Sequence, residues 1–342
     1  MSQTPKRRSR ATGRLTLDDV ARLAGVSAIT ASRALRGTRA VDEALAERVR
    51  KAAKQLNYVP DPAARALASA RSSQVAVLVP LLTNTLFVEL IDAVQRQLVP
   101  AGFPTMIGVT HYDLDEEEEL LRSYLAHRPA GLMVTGFERT PSASRMIAES
   151  GVPCVHLMET QSAPGTYSVG LSQQDAAQAL TEHLMQRGYR RIAYVAGQLD
   201  TRVMQRRDGY ARALRLAGLH DPRLEVLEPV PTSMAQGARL FEALLTAHPD
   251  VDAIFFCNDD LAQGALLAAL RMKISVPKRV AVVGFNDLPG NELMLPPLTT
   301  VRTPRAQIGT AAATMLLALM RGEKVPQHAV DLGFDLVLRQ SS

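Results

Sequence analysis

Tryptophan is absent from this 342-residue chain, aromatic residues make up only 4% of it, and cysteine occurs twice. Cys154 and Cys257 lie far apart with no CxxC, which excludes a disulfide framework and a structural zinc site. No run approaches the ~18 consecutive apolar residues that a membrane-spanning helix needs. The opening MSQTPKRRSR leads into ATGRLTLDDV and not into an apolar h-region. Export is therefore not expected, and the chain is read as cytoplasmic and associated with the nucleoid. Catalytic signatures are missing too. No strand is followed by GxGxxG, and there is no P-loop, GxSxG elbow or HExxH. The seven histidines show no ligand spacing. No catalytic residue, metal site or cofactor is expected, and the chain is not read as an enzyme.

What is present is ordinary globular composition, 46% hydrophobic and 21% charged, in a chain long enough for two or three domains. The net charge of +5 is unevenly spread. Residues 1–72 carry 15 Lys/Arg against 6 Asp/Glu, while the remainder carries 24 against 28. A basic head on a mildly acidic body suggests that one segment meets a polyanion while the rest does something else.

Within the head, residues 1–14 form a basic tail and residues 15–59 read as a small helical domain. Thr16 is a helix cap, Asp18 and Asp19 suit the positive end of the helix, and Leu17, Val20, Ala21 and Ala24 make an apolar stripe. Gly25 ends that helix, and Ser27 caps a second with Ala31, Ala34 and Leu35 facing inward. A third, from about Asp42 to Leu56, closes the core. Two short helices joined by a glycine turn make a helix-turn-helix. The second helix leaves small residues and Arg33 on its outer face, suited to a major groove. An unrelated three-helix bundle is the competing reading.

The segments VARLAGVSAITASRALRG and LNYVPDPAARALAS, in this order, resemble the head of the LacI/GalR family of bacterial transcription regulators. The resemblance implies a base-reading helix in which Ala28 and Ile29 make apolar contacts and Arg33 reads guanine. Thr16, Ser27, Thr30 and Ser32 are expected as capping or phosphate contacts. It further implies that residues 60–72 hold a hinge helix that forms on operator DNA, with Leu67 wedged into the minor groove. The residues agree with this, because Pro60 and Pro62 stop the preceding helix and AARALA is too short to be stable alone.

From residue 73 onward, short β-branched runs such as QVAVLVP, RIAYVAG and RVAVVGF alternate with amphipathic stretches. Alternation of this kind predicts parallel sheets covered by helices on both faces, with a ligand at the carboxyl ends of the strands. The resemblance extends over this whole body and implies a periplasmic-binding-protein-like architecture. The fold expected is thus an all-α helix-turn-helix head plus an α/β two-lobed body of two parallel doubly wound sheets. The N-lobe is placed at about 73–169 and 303–331 and the C-lobe at about 170–302 and 332–340, with crossovers near Gly170, Arg302 and Leu332. The acidic run Asp113 to Glu119 lacks the pattern of a calcium loop and is read as the opening of a helix, Asp115 to His127.

Candidate effector contacts follow the strands. Asn84 and Phe87 come after the first. Arg202 and Arg206 are placed in or at the edge of a strand-to-helix loop. Asn258 and Asp259 follow DAIFFC, and Asn286 follows VAVVGF. Amide and carboxylate side chains suit vicinal hydroxyls, and an arginine fork suits a carboxylate. The competing reading of each Asn or Asp is capping of the next helix. The resemblance marks Arg206, three residues before the glycine of RxxG[aromatic], as an effector contact, and places Glu159 near an acidic contact after the fourth strand. Within the family the chain is most similar to the gluconate-utilisation repressors (GntR of the LacI type), through LLTNTLFVEL, HLMET, LDTR, RRDGY, FCNDDLAQGA and PPLTTVRTPRAQIG. A homodimeric repressor on pseudo-palindromic double-stranded operator DNA is implied, released by a sugar-acid effector such as gluconate or 2-ketogluconate. No membrane partner is expected. The chain closes soon after DLGFDLVLR, so a dimer and not a tetramer is expected. Two alternatives stand beside it, a sugar-binding receptor and a regulator responding to a neutral sugar.

Overall fold

The computed structural model describes residues 15–35, 41–59 and 72–342. The basic tail, Leu67 and most of the expected hinge lie outside the described residues. The chain divides into two units, Met1–Ser72 and Ser73–Ser342.

In the first unit, α1 (Leu17–Ala24), α2 (Ala28–Leu35) and α3 (Glu43–Gln55) pack pairwise around one core. A capping box opens α1. The Thr16 side chain bonds the backbone of Asp19, and Asp19 Oδ2 accepts the Thr16 N–H at 2.9 Å. Gly25, at φ 63°, takes the left-handed conformation that stops the helix. Ser27 Oγ then accepts the Thr30 N–H at 3.1 Å and starts α2. The core consists of Val20, Ala21, Ala24, Ala31, Ala34, Ala46, Val49, Ala52 and Ala53. Side chains this small bring the helices close, so little apolar area holds each of them.

The second unit contains two six-stranded sheets with the same plan. The N-lobe sheet has strand order β11-β5-β4-β3-β1-β2, and the C-lobe sheet β12-β10-β9-β8-β6-β7. The N-lobe strands are β1 (Val75–Val79), β2 (Thr105–Val109), β3 (Gly131–Thr135), β4 (Cys154–Met158), β5 (Ser168–Gly170) and β11 (Ala329–Asp331). The C-lobe strands are β6 (Ile192–Gly197), β7 (Glu225–Glu228), β8 (Ala253–Phe256), β9 (Ala281–Asn286), β10 (Thr299–Arg302) and β12 (Asp335–Val337). Every pairing is parallel except β10 with β12. Parallel strands need crossover helices, which cover both faces and account for the strands' continuous apolar runs.

The period-two pattern of β1 separates the two faces of the N-lobe sheet. Val75, Val77 and Val79 join the cluster that holds α4 (Thr85–Leu98) and α11 (Arg305–Met320). Ala76 and Leu78 face Leu121 of α5 (Leu114–Ala126) and Ala143 of α6 (Pro141–Glu149). The C-lobe is covered by the pairs α7 (Gln173–Gln186) with α8 (Thr201–Leu216) and α9 (Met234–Ala247) with α10 (Asp259–Arg271). The chain passes between lobes three times. One passage lies between β5 and α7, one between β10 and α11, and one between β11 and β12. The helix expected from Asp115 begins one residue earlier, because Asp113 caps it by accepting the N–H groups of Asp115 and Glu116.

Candidate functional site

In the first unit, the outer face of α2 is the candidate nucleic-acid interface. Burying Ala31 and Ala34 turns Ile29, 65% exposed, and Arg33 outward at opposite ends of the helix. Ala28, Thr30 and Ser32 are half-buried beside them. Ser27 and Thr30 share a hydroxyl hydrogen bond of 2.8 Å, and Thr16 is engaged in its capping box, so these side chains organise the helix starts.

In the second unit, a cavity of about 130 Å³ opens where strand ends of the two lobes meet. From the N-lobe come the end of β1, the β2–α5 turn with Tyr112 and Asp113, Glu117 one turn into α5, Glu138 after β3 and Glu159 after β4. The C-lobe contributes Gln198, Leu199 and Asp200 between β6 and α8, and Thr201 and Arg202 at the start of α8. Arg202 and Arg206, expected in or at the edge of a strand-to-helix loop, both sit in the first two turns of α8, Arg202 at the loop's edge as the second helical residue. The helix starts early because Asp200 caps it, with Oδ1 accepting the Arg202 N–H at 2.9 Å.

The same carboxylate takes Arg202 Nε at 3.1 Å, and the Arg202 side chain is only 9% exposed. Burial alone would weaken Arg202's hold on its proton, but Asp200, Tyr112 and Glu159 outweigh it and keep the guanidinium above the ordinary arginine range. Burial would likewise raise Asp200, yet Arg202 and Arg206 hold it below the usual carboxylate range. Glu159 is raised, chiefly by burial, with Arg202 and a 3.0 Å hydrogen bond from Gln205 opposing. Burial also pushes Tyr112 up to about 12.

Arg206 stands behind this wall. Its Nε donates to Gln173 Oε1 at 2.8 Å, a terminal nitrogen donates to the Cys257 carbonyl at 2.6 Å, and its guanidinium lies 3.9 Å from the Phe285 ring centroid. Burial lowers its affinity for the proton, and none of the ion pairs among the described residues includes it.

The other expected contacts hold the cleft without lining the cavity. Asn84 caps α4 through the Leu86 N–H and donates 3.1 Å across to Asp260 of the C-lobe. Phe87 is in the core. Asn258 caps α10 and donates to Thr232 at 2.9 Å. Asp259, fully buried, accepts from the Thr300 hydroxyl at 2.7 Å and the Leu288 N–H at 2.8 Å. Asn286, at φ 117°, accepts from the Thr303 hydroxyl at 3.1 Å. Of the candidates, the structure brings Glu159 and Arg202 together on the cavity wall. It adds Tyr112, Asp113, Glu117, Glu138 and Asp200, which sequence reasoning did not select. Glu138 reaches across the lobes to accept the Thr201 N–H at 2.9 Å and its hydroxyl at 2.6 Å.

Residues 16–61 match the family described as bacterial regulatory proteins, lacI family, and residues 181–342 match the periplasmic binding protein-like domain. The HTH-type transcriptional regulator GntR of Pseudomonas aeruginosa is 55% identical over 98% of this chain and 97% of its own length. The chain belongs to the LacI family. The HTH-type transcriptional regulator GntR of Escherichia coli (strain K12) is 35% identical over 94% of this chain and 97% of its own length. Among solved structures, the transcription regulator GntR from Chromobacterium violaceum is 46% identical, covering 79% of this chain and 99% of that one, with a TM-score of 0.77. The lac repressor dimer bound to operator and the anti-inducer ONPF is 26% identical, covering 96% of this chain and 99% of that one, with a TM-score of 0.84. The chain is therefore a DNA-binding transcriptional repressor of the LacI family, and its relatives are regulators, not enzymes. LacI-family repressors act as dimers that bind operator DNA and small-molecule effectors, and both candidate surfaces fit that division of labour. No helix among the described residues is long and apolar enough to cross a membrane.

Proposed function

We propose that this LacI-family repressor is a cytoplasmic homodimer that controls sugar-acid catabolism genes and leaves its operator when a gluconate-like acid closes the two lobes. The observation that carries the reading is a pair of buried guanidinium groups on the C-lobe side of an otherwise acidic cleft. Arg202 and Arg206 are both buried on consecutive turns of α8, and together they have one carboxylate, Asp200, within ion-pair distance. A buried guanidinium lacking a full anionic partner is costly, and a ligand carboxylate offsets that cost. Relatives named GntR, and one named IdnR at 32% identity in Escherichia coli, give the same direction. In this reading Arg33 reads a guanine in each half-site, Ala28 and Ile29 make apolar base contacts, and Leu67 is the minor-groove wedge. A ligand that prefers one arrangement of the lobes shifts the operator equilibrium by its differential affinity for the two. The test is a thermal-shift screen of the full-length protein against gluconate, 2-ketogluconate, glucose and other neutral sugars. An acid should raise the melting temperature, and neutral sugars should do so far less. Stabilisation by a neutral sugar alone would move the protein to the regulators of neutral sugars.

A further inference from the structure

At the passage from β10 to α11, one side chain holds both lobes. Arg305 opens α11 and so belongs to the N-lobe, yet its guanidinium turns back to the end of β9 in the C-lobe. One terminal nitrogen donates to the Asn286 carbonyl at 2.7 Å, and the other to the Asp287 carbonyl at 3.1 Å. Nε and that second terminal nitrogen also donate to the two oxygens of Glu89 on α4, at 2.5 and 3.2 Å. The fork thus grips a carboxylate of the N-lobe in bidentate fashion and two backbone carbonyls of the C-lobe. The Arg305 side chain is 12% exposed, so these bonds are made largely out of water.

The backbone it holds is strained. Asn286 and Asp287 are consecutive non-glycine residues in the left-handed region, at φ 117° and 55°. Such a pair persists only where its surroundings over-determine it. Arg302, at the end of β10, donates to the Asp287 carboxylate at 2.8 Å, and Arg339, just past β12, pairs with the same carboxylate at 2.9 Å. Asn286 Oδ1 accepts from Thr303, and no hydrogen bond among the described residues uses its amide nitrogen. That nitrogen is a donor at the carboxyl end of β9, where a ligand is expected, while the carbonyl of the same residue is bonded to Arg305. The start of α4 also meets the C-lobe through Asn84 and Asp260.

Within the reading that an effector releases the operator by rearranging the lobes, on which this rests, we infer that Arg305 and Glu89 are positioning residues that pass effector contact at the end of β9 to α4 of the N-lobe. Neither residue lines the cavity. A ligand that shifts Asn286 must carry Arg305 with it or break its carbonyl bonds, and Glu89 makes α4 follow. Packed elements move between discrete arrangements and do not deform continuously, so a small shift at the strand end changes how the lobes sit.

The test is the factor by which saturating gluconate weakens operator binding, measured on full-length variants beside gluconate affinity and melting temperature. Glu89→Gln keeps the carbonyl bonds of Arg305 but loses the charged link to α4. Its gluconate affinity should stay within about twofold of wild type while the factor falls about fivefold or more. Arg305→Gln should lose at least as much of the factor, and Arg305→Lys, which keeps the charge without the fork, should recover part of it. The double variant should lose no more than Arg305→Gln alone, because the two residues act as one unit. If Arg305→Gln does not fold, Glu89→Gln decides, its side chain being 40% exposed in wild type. A lowered melting temperature with the wild-type factor intact in Glu89→Gln would make the pair a structural anchor and overturn the inference, leaving the sugar-acid reading standing. A wild-type operator complex that does not respond to gluconate would remove the sugar-acid reading, and this inference with it.

Discussion

The two lobes share one strand order but are filled differently. The C-lobe buries Tyr194, Tyr210, Phe241, Phe255, Phe256 and Phe285 completely, with Tyr194 edge-on to Phe255 at 5.4 Å and stacked on Tyr210 at 5.3 Å. The N-lobe has Phe87 in its core but is otherwise mostly aliphatic, its largest fully buried side chains being Leu78, Leu90, Leu98, Leu121, Leu132 and Met133. Each aromatic side chain buries more area and packs with more directional preference than a leucine. The lobe with the more tightly specified interior carries the arginines, on one helix whose start is fixed by Asp200. The aliphatic lobe supplies Asp113, Glu117, Glu138 and Glu159 from three strand-end segments. The cleft thus has a cationic side set by one rigid element and an acidic side gathered from several, so the two sides respond differently to substitution.

The largest effect expected from this contrast is on stability. Phe255→Ala should cost about 3–5 kcal/mol, whereas Val77→Ala on the central N-lobe strand should cost about 2 kcal/mol. Urea unfolding of both variants checks this, and equal losses would remove the distinction between the interiors.

A second effect concerns pH, where the lobes oppose each other. In the N-lobe, burial and the neighbouring Arg139 bring His156 from 6.5 down to about 4. A base whose pKa is lowered by folding contributes stability above its unfolded value and loses it as pH falls toward 4. In the C-lobe, burial pushes Asp259 from 3.8 up to about 6. An acid raised by folding contributes in the opposite sense, favouring the fold at low pH and losing that contribution as pH rises toward 6. Both groups titrate over the same window and nearly cancel. Relative to wild type, His156→Gln should make stability fall more as pH rises from 4 to 6, and Asp259→Asn should make it rise more. Denaturant midpoints at several pH values test this, and slopes that change in the same direction in both variants would contradict it.

The smallest effect is at the bond between lobes made by Glu138. Thr201→Ala removes the hydroxyl donor and leaves the N–H in place, so effector affinity should fall by about 0.5 kcal/mol, or roughly twofold. Calorimetry with gluconate measures it, and a loss of tenfold or more would make this contact, and not the arginine side, the main determinant of closure.

How much of this was legible in the sequence follows from how local each feature is. Thr16 with Asp19, Gly25 and Ser27 act within single helix turns, so the head could be read from one contiguous stretch. The runs QVAVLVP, RIAYVAG and RVAVVGF were legible for the same reason, their strands being buried along the whole length. The cavity was not, because its walls come from strand ends separated by many residues. Asn258 and Asp259 carry the donors and acceptors a sugar contact needs, yet Asn258 caps a helix and Asp259 is held by Thr300 and Leu288 inside the C-lobe. Asp200 was the missed signal. An aspartate at a strand end immediately before a threonine marks a helix start, and recognising it places Arg202 in the first turn of α8 and Arg206 in the second. Asp113 and Glu117 registered as a helix opening, which they are; their place on the cavity wall depends on the lobe opposite.

Coupling between operator and effector is the central claim, and the most direct test measures it in both directions. Operator affinity is determined with and without saturating gluconate, and gluconate affinity with and without operator, at one fixed salt concentration. Linkage requires that the two factors be equal, and the account predicts that gluconate weakens operator binding and operator weakens gluconate binding by that common factor. Operator affinity unchanged by bound gluconate would contradict it.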